Sequence, residues 1–184
     1  MSNASRDRSH AKRWVVLSGT DAAWHPLYGL RGWLLVVLLL TALGLGLGLF
    51  EIVPVLPSMI DSIVLLASTT PPLALLLALT IVAVVAYGAV IFLGLVHARS
   101  FRAWAIGTSI LAVAVHLGFI IELAVLVGEL DPKQLLMEFL KIGANGAVLA
   151  YYIASRRVRV TYLWQVAQDD PYLLELRAKQ RAAA

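Results

Sequence analysis

No charged residue interrupts the chain between Leu73 and Val96. About 20 apolar residues are what one helix needs to cross the hydrocarbon core of a bilayer, where a helix satisfies its own backbone polar groups. Three more apolar blocks flank this one, and spans are predicted over about 33–53, 73–96, 104–127 and 134–154. The composition agrees, with 60% hydrophobic residues, 14% charged residues and a mean hydropathy of +0.84. Soluble domains hold about 45–50% apolar and about 25% charged residues. The sequence therefore predicts an all-α fold, an integral membrane four-helix bundle over residues 29–162, with no separate soluble domain.

Charge orients the thread. The last apolar block ends in Tyr151 and Tyr152, and Arg156, Arg157 and Arg159 follow at once. Aromatic rings prefer the headgroup level, and arginines collect on the cytoplasmic side. Arg31 and Trp33 mark the same interface at the first span. With both termini cytoplasmic, thirteen Lys/Arg lie inside and Lys133 alone lies outside, while Lys141 falls within a span. Arg31, Trp33, Arg156, Arg157 and Arg159 are thus expected to serve topology and contact with anionic lipid headgroups. The net charge of +4 and pI near 9.6 follow from this asymmetry and give no reason to expect nucleic acid.

Residues 1–28 read as a cytoplasmic segment, partly disordered, in which Trp14-Val15-Val16-Leu17 rests on the membrane surface. The first long apolar run begins only after Arg31, as an uncleaved first span does. Gly44 and Gly48 within that span have the small-xxx-small spacing that brings helices close. Ile60–Ala67 reads as a short interfacial helix, and Thr70 before Pro71 as an N-cap. The tail, 163–184, carries a second start signal, Asp170-Pro171, ahead of a short helix. Its Tyr172, Leu173 and Leu176 would face the membrane or a partner.

Two segments carry a family likeness. Gly29-Leu30-Arg31-Gly32-Trp33-Leu34, and Tyr151-x-x-x-Ser155-x-Arg157-Val158-x-x-Thr161-Tyr162, resemble the signatures of the bacterial membrane family called domain of unknown function 2569. That family pairs a Gly-x-x-Gly-Trp-Leu-like opening with an exit reading Ser-Lys-Arg-Val-x-x-Thr-Phe. Arg156 stands here for a common lysine, and Tyr162 for phenylalanine. The resemblance implies a four-span fold in the bacterial inner membrane, and it implies no activity.

Polar residues within a span are costly and need a reason. Gln134, Glu138, Lys141 and Asn145 fall on one stripe of the fourth helix, about 60° wide at about 100° per residue. Glu138 and Lys141 can pair along it. The stripe is expected to face the bundle interior, either as structural glue or as the lining of a small hydrated pocket. Depth counted along the helices sets Glu122 level with Lys141 as a candidate ion pair. His116 lies about 120° around the helix from Glu122, so the two share no face, and it reads as a hydrogen-bonded packing residue. Glu51 reads as an outer interfacial residue. His116, Glu122, Glu138, Lys141 and Asn145 together form the candidate intramembrane polar site. The chain has no cysteine, which removes disulfides, thiolate metal sites and cysteine catalysis. No catalytic motif, cofactor motif or metal-ligand spacing occurs, so no enzyme, cofactor or metal is expected. Two functions fit: an accessory or scaffold subunit with a membrane-protein partner or a second copy, and a small transport or proton-linked protein built on the stripe.

Overall fold

The computed structural model describes residues 14–127 and 131–183. In chain order it has β1 (Trp14–Val16), α1 (Gly19–Ala23), α2 (Trp33–Ile52), α3 (Leu56–Thr69), α4 (Pro71–Leu95), α5 (Phe101–Val127), α6 (Pro132–Ala154), α7 (Arg156–Val158), β2 (Gln165–Ala167) and α8 (Pro171–Ala183). A 3-10 turn, Val53–Val55, links α2 to α3, and a π-turn, Arg159–Leu163, follows α7. Helix dominates. The predicted spans fall on α2, α4, α5 and α6, their ends displaced by three residues at most. Among the described residues, Pro71–Leu95 and Phe101–Glu122 are long and apolar enough to cross a membrane, and Trp33–Gly46 and Leu56–Thr69 are shorter apolar stretches. The side chain of Glu51 and residues 128–130 lie outside what is described.

Leu30–Ser155 is one compact unit. α4 packs against α2, α3 and α5, and α5 packs also against α6. Small residues set the closest approaches. A Cβ on Gly118 of α5 would stand 2.5 Å from Leu76 Cδ2, and one on Gly94 of α4 would stand 3.1 Å from both Leu38 and Phe101. The spacing of Gly44 and Gly48 pointed elsewhere. Gly44 meets nothing within 4 Å, and the surroundings of Gly48 are not described. α3 exceeds the expected Ile60–Ala67 at both ends and lies against α4. Thr70 occupies the N-cap position of α4, but its carbonyl rather than its hydroxyl does the work, accepting from the Leu73 and Ala74 N–H groups.

Arg102 lies in the first turn of α5. Its Nε donates to the Tyr152 carbonyl at 3.2 Å and its Nη2 to the Ile153 carbonyl at 3.3 Å. These are free acceptors in the last turn of α6, so Arg102 closes that helix end. Beside it, Phe101 meets Tyr152 edge to face, centroids 5.5 Å apart, and both rings are fully buried.

The chain ends form the second unit, which in its described residues comprises 14–29 and 156–183. Sequence reading does not anticipate a separate folded unit here. Trp14–Val16, expected to rest on a membrane surface, instead pairs antiparallel with β2, Val15 opposite Val166. Ser18 caps α1, accepting the Asp21 N–H at 3.1 Å. Asp170 starts α8, its Oδ1 accepting the Tyr172 N–H at 3.0 Å. Leu17, Ala22, Val160, Val166 and Leu173 make the core, with Leu27, Trp164, Tyr172 and Leu176 packed against it. The apolar face of α8 is therefore covered by the chain's own N-terminal segment.

Thr161 ties the two halves of this unit together. It is fully buried, accepts the Gly29 N–H at 3.1 Å and donates to the Leu27 carbonyl at 3.4 Å. Gly29 and Gly32 both adopt positive φ, 89° and 56°. With ψ at −138°, Gly32 sits in a region essentially closed to any residue with a Cβ. Gly32→Ala should lower stability by about 1–3 kcal/mol, read from equilibrium unfolding in mixed micelles. An unchanged midpoint would show that this turn can relax.

Candidate functional site

The polar stripe on α6 begins beyond Asp131, which caps the helix by accepting the Lys133 N–H at 3.0 Å. Glu138 is its centre. One carboxylate oxygen, Oε1, takes a hydrogen bond from Lys141 Nζ at 2.7 Å, three residues on along the same helix. The other, Oε2, lies 2.7 Å from His116 Nδ1 on α5. A carboxylate only accepts, so Nδ1 carries the hydrogen. The Glu138 and His116 side chains keep 17% and 23% exposure, whereas Lys141 keeps 49%.

A second cross-helix link lies about two turns along. Tyr87 of α4 donates to Asn145 Oδ1, and the Asn145 amide donates to the Lys141 carbonyl at 2.9 Å. The stripe thus meets α5 through Glu138 and α4 through Asn145. Gln134 and Lys141 sit on its exposed margin rather than in the interior.

The expected Glu122–Lys141 pair does not form. Among the described residues Glu122 makes no ion pair, and the ammonium of Lys141 goes to Glu138. Counting depth ignored the angle around the helix. His116 and Glu122 are six residues apart, about 9 Å of rise and about 120° of rotation. His116 bonds to α6, and Glu122 is half-buried on another side of α5. The sequence reading missed the His116–Glu138 bond, although its parts were visible: an imidazole on α5 and an acid in the facing stripe.

The arginines expected to share one role at the chain's exit part company. Arg156 is exposed, as are Arg31 and Trp33 at the start of α2. Arg159 lies 4.4 Å from the Trp14 ring centroid, a cation–π contact with β1. Arg157 has its Nη1 buried, with no hydrogen-bond partner among the described residues. Only Arg156 of the three is exposed, while Arg157 and Arg159 are half-buried.

The terminal unit has a polar cluster that sequence reading did not single out. His25 is buried, its Nδ1 accepts the Leu27 N–H at 3.0 Å, and its Nε2 lies 3.4 Å from Asp170 Oδ1. The acceptor role of Nδ1 places the hydrogen on Nε2, pointing at the carboxylate. Tyr172 stacks edge-on against His25, centroids 4.8 Å apart, and donates to the Asp21 carbonyl at 2.9 Å. Lost hydration first, and then the Asp21 carboxylate, push the Tyr172 phenol above its ordinary value, which keeps it a donor. His25, Asp170, Tyr172 and Glu175 line an open cleft of about 330 Å³. No group of three or more potential metal ligands occurs among the described residues.

Tyr87→Phe and Asn145→Ala should each destabilise the helices, and the double variant should cost less than the two together. A coupling of about 1 kcal/mol is expected for a hydrogen bond between apolar helices; strictly additive effects would show that the bond contributes nothing. Comparisons with protein-family models, curated proteins and solved structures find no match for this chain.

Proposed function

We propose that this chain is a four-span protein of the bacterial inner membrane, both termini cytoplasmic, serving as a non-enzymatic accessory or scaffold subunit. The terminal unit carries this reading. Residues from both ends fold around a core of their own, in a chain whose other unit consists of the apolar helices. A folded module fixed to a membrane suits the holding of a second protein.

Several observations support the membrane part. Only 17% of the most apolar window of α4 is buried within the chain, which suits a helix covered by lipid or another protein. Phe50, Phe92 and Val125 are among the large apolar side chains left exposed on α2, α4 and α5. α2, at 20 residues, and α6, at 23, span about 30 and about 35 Å, enough for a bilayer core. Of the polar residues that lower the hydropathy of α6, Asn145 has a partner on α4 and Glu138 one on α5, which lowers their cost. Arg31, Trp33 and Arg156 are available to anionic headgroups. Membership of the family of unknown function is proposed on the two signature segments alone, whose Gly29 and Thr161 meet. The His116–Glu138 bond favours a second reading, a small proton-linked or transport protein.

Single cysteines in this cysteine-free background test the topology. Ile63→Cys should react with an impermeant maleimide added outside, and Ser100→Cys only after the inner face is opened; the reverse pattern would overturn the orientation. Recovery at natural abundance in a mild detergent, with quantitative mass spectrometry, tests the function. One partner near equal stoichiometry is expected, and it should be lost in Ala22→Asp, which puts a charge into the terminal core while leaving the helices embedded. Self-association alone would overturn the accessory reading in favour of the second.

A further inference from the structure

We propose that His116 is a proton-binding site among the membrane helices, with Glu138 as its counter-charge and Lys141 as the group that sets its affinity. The inference rests on the reading of α5 and α6 as spans and goes beyond it by naming the ligand, a proton, and the atom that takes it.

Charge balance comes first. Glu138 and Lys141, 2.7 Å apart, neutralise one another, so the imidazole alone decides whether the cluster is neutral or carries one positive charge. The hydrogen on His116 Nδ1 is committed to Glu138 Oε2. Nε2 therefore holds the free lone pair, and it makes no hydrogen bond among the described residues. A proton delivered to Nε2 forms an N–H bond there, and the resulting imidazolium remains hydrogen-bonded to the carboxylate.

The surroundings leave few other groups to take that proton. On α6 the facing groups are Glu138 and Lys141. α4, the other helix packed against α5, has no charged residue, and its Tyr87 hydroxyl is engaged by Asn145. Glu122 of α5 is about 120° around the helix. Lys141 is the informative member. A lone carboxylate beside an imidazole favours permanent protonation of the ring, and a competing ammonium on the same carboxylate weakens that hold. The three groups together make a site that takes up a proton and gives it back.

The test uses the full chain in lipid nanodiscs with ring-¹⁵N histidine, followed by NMR from about pH 5 to about pH 9, across the ordinary imidazole range. His116→Gln assigns the signal. The expected result is a titration at Nε2 in the unaltered chain. Lys141→Met should raise its midpoint by about one pH unit or more, and Glu138→Gln should lower it by a similar amount. A His116 ring fixed in one protonation state throughout would overturn the proposal without any variant. So would midpoints that fail to move in opposite directions in variants of unchanged helicity. Cysteine labelling decides the membrane setting separately, so a failed topology and a failed proton site give different results.

Discussion

Between apolar helices, every amide, imidazole and carboxylate needs a partner, because a bare polar group there costs several kcal/mol. That cost organises the larger unit. Leucine, valine and alanine faces slide past one another at little expense, and α4, α5 and α6 offer many nearly equivalent apolar registers. Glu138 with His116, and Asn145 with Tyr87, do not tolerate such slippage. A shift of one turn would leave a carboxylate and an amide unpaired, so two polar contacts select one register from many. Gly118 against Leu76 and Gly94 against Leu38 and Phe101 then fit that register at close range.

The terminal unit answers the same demand with different materials. Its strands have three residues each, and α8 starts one residue after Asp170. None of these pieces would persist alone. They persist because β1 and β2 supply each other's hydrogen bonds, and because Thr161 satisfies Leu27 and Gly29 from within the π-turn. A π-turn brings an extra residue into the helical winding. Here the winding leaves Val160, Thr161 and Tyr162 all buried, and the chain leaves it through Trp164 in the left-handed conformation.

The helices were legible because their signal is dense. Apolar blocks, Pro71 and Asp170-Pro171 mark bodies and starts within a few residues. The pairing of His116 with Glu138 was not legible, since depth can be counted along a sequence while the facing angle depends on how α5 sits between α4 and α6. The stripe of Glu138, Lys141 and Asn145 was readable as a unit because all three lie on one helix. Its partners were not, because Tyr87 and His116 lie 58 and 22 residues away from the groups they bond. The terminal unit was hidden for a related reason. Val15 and Val166 are each unremarkable in their own neighbourhoods, and only their pairing makes a strand.

That pairing has a consequence for the order of events in synthesis. The core joins Leu17 and Ala22 to Val160, Val166 and Leu173, so its first half leaves the ribosome long before its second. At about 5–20 residues per second, the gap is on the order of ten seconds. Throughout it, Trp14–Tyr28 must stay unpaired while the helices take their places. A chain cut between Ala154 and Thr161 keeps its apolar helices and lacks the residues that complete the module. The core of the unit can therefore close only after synthesis has passed Leu173.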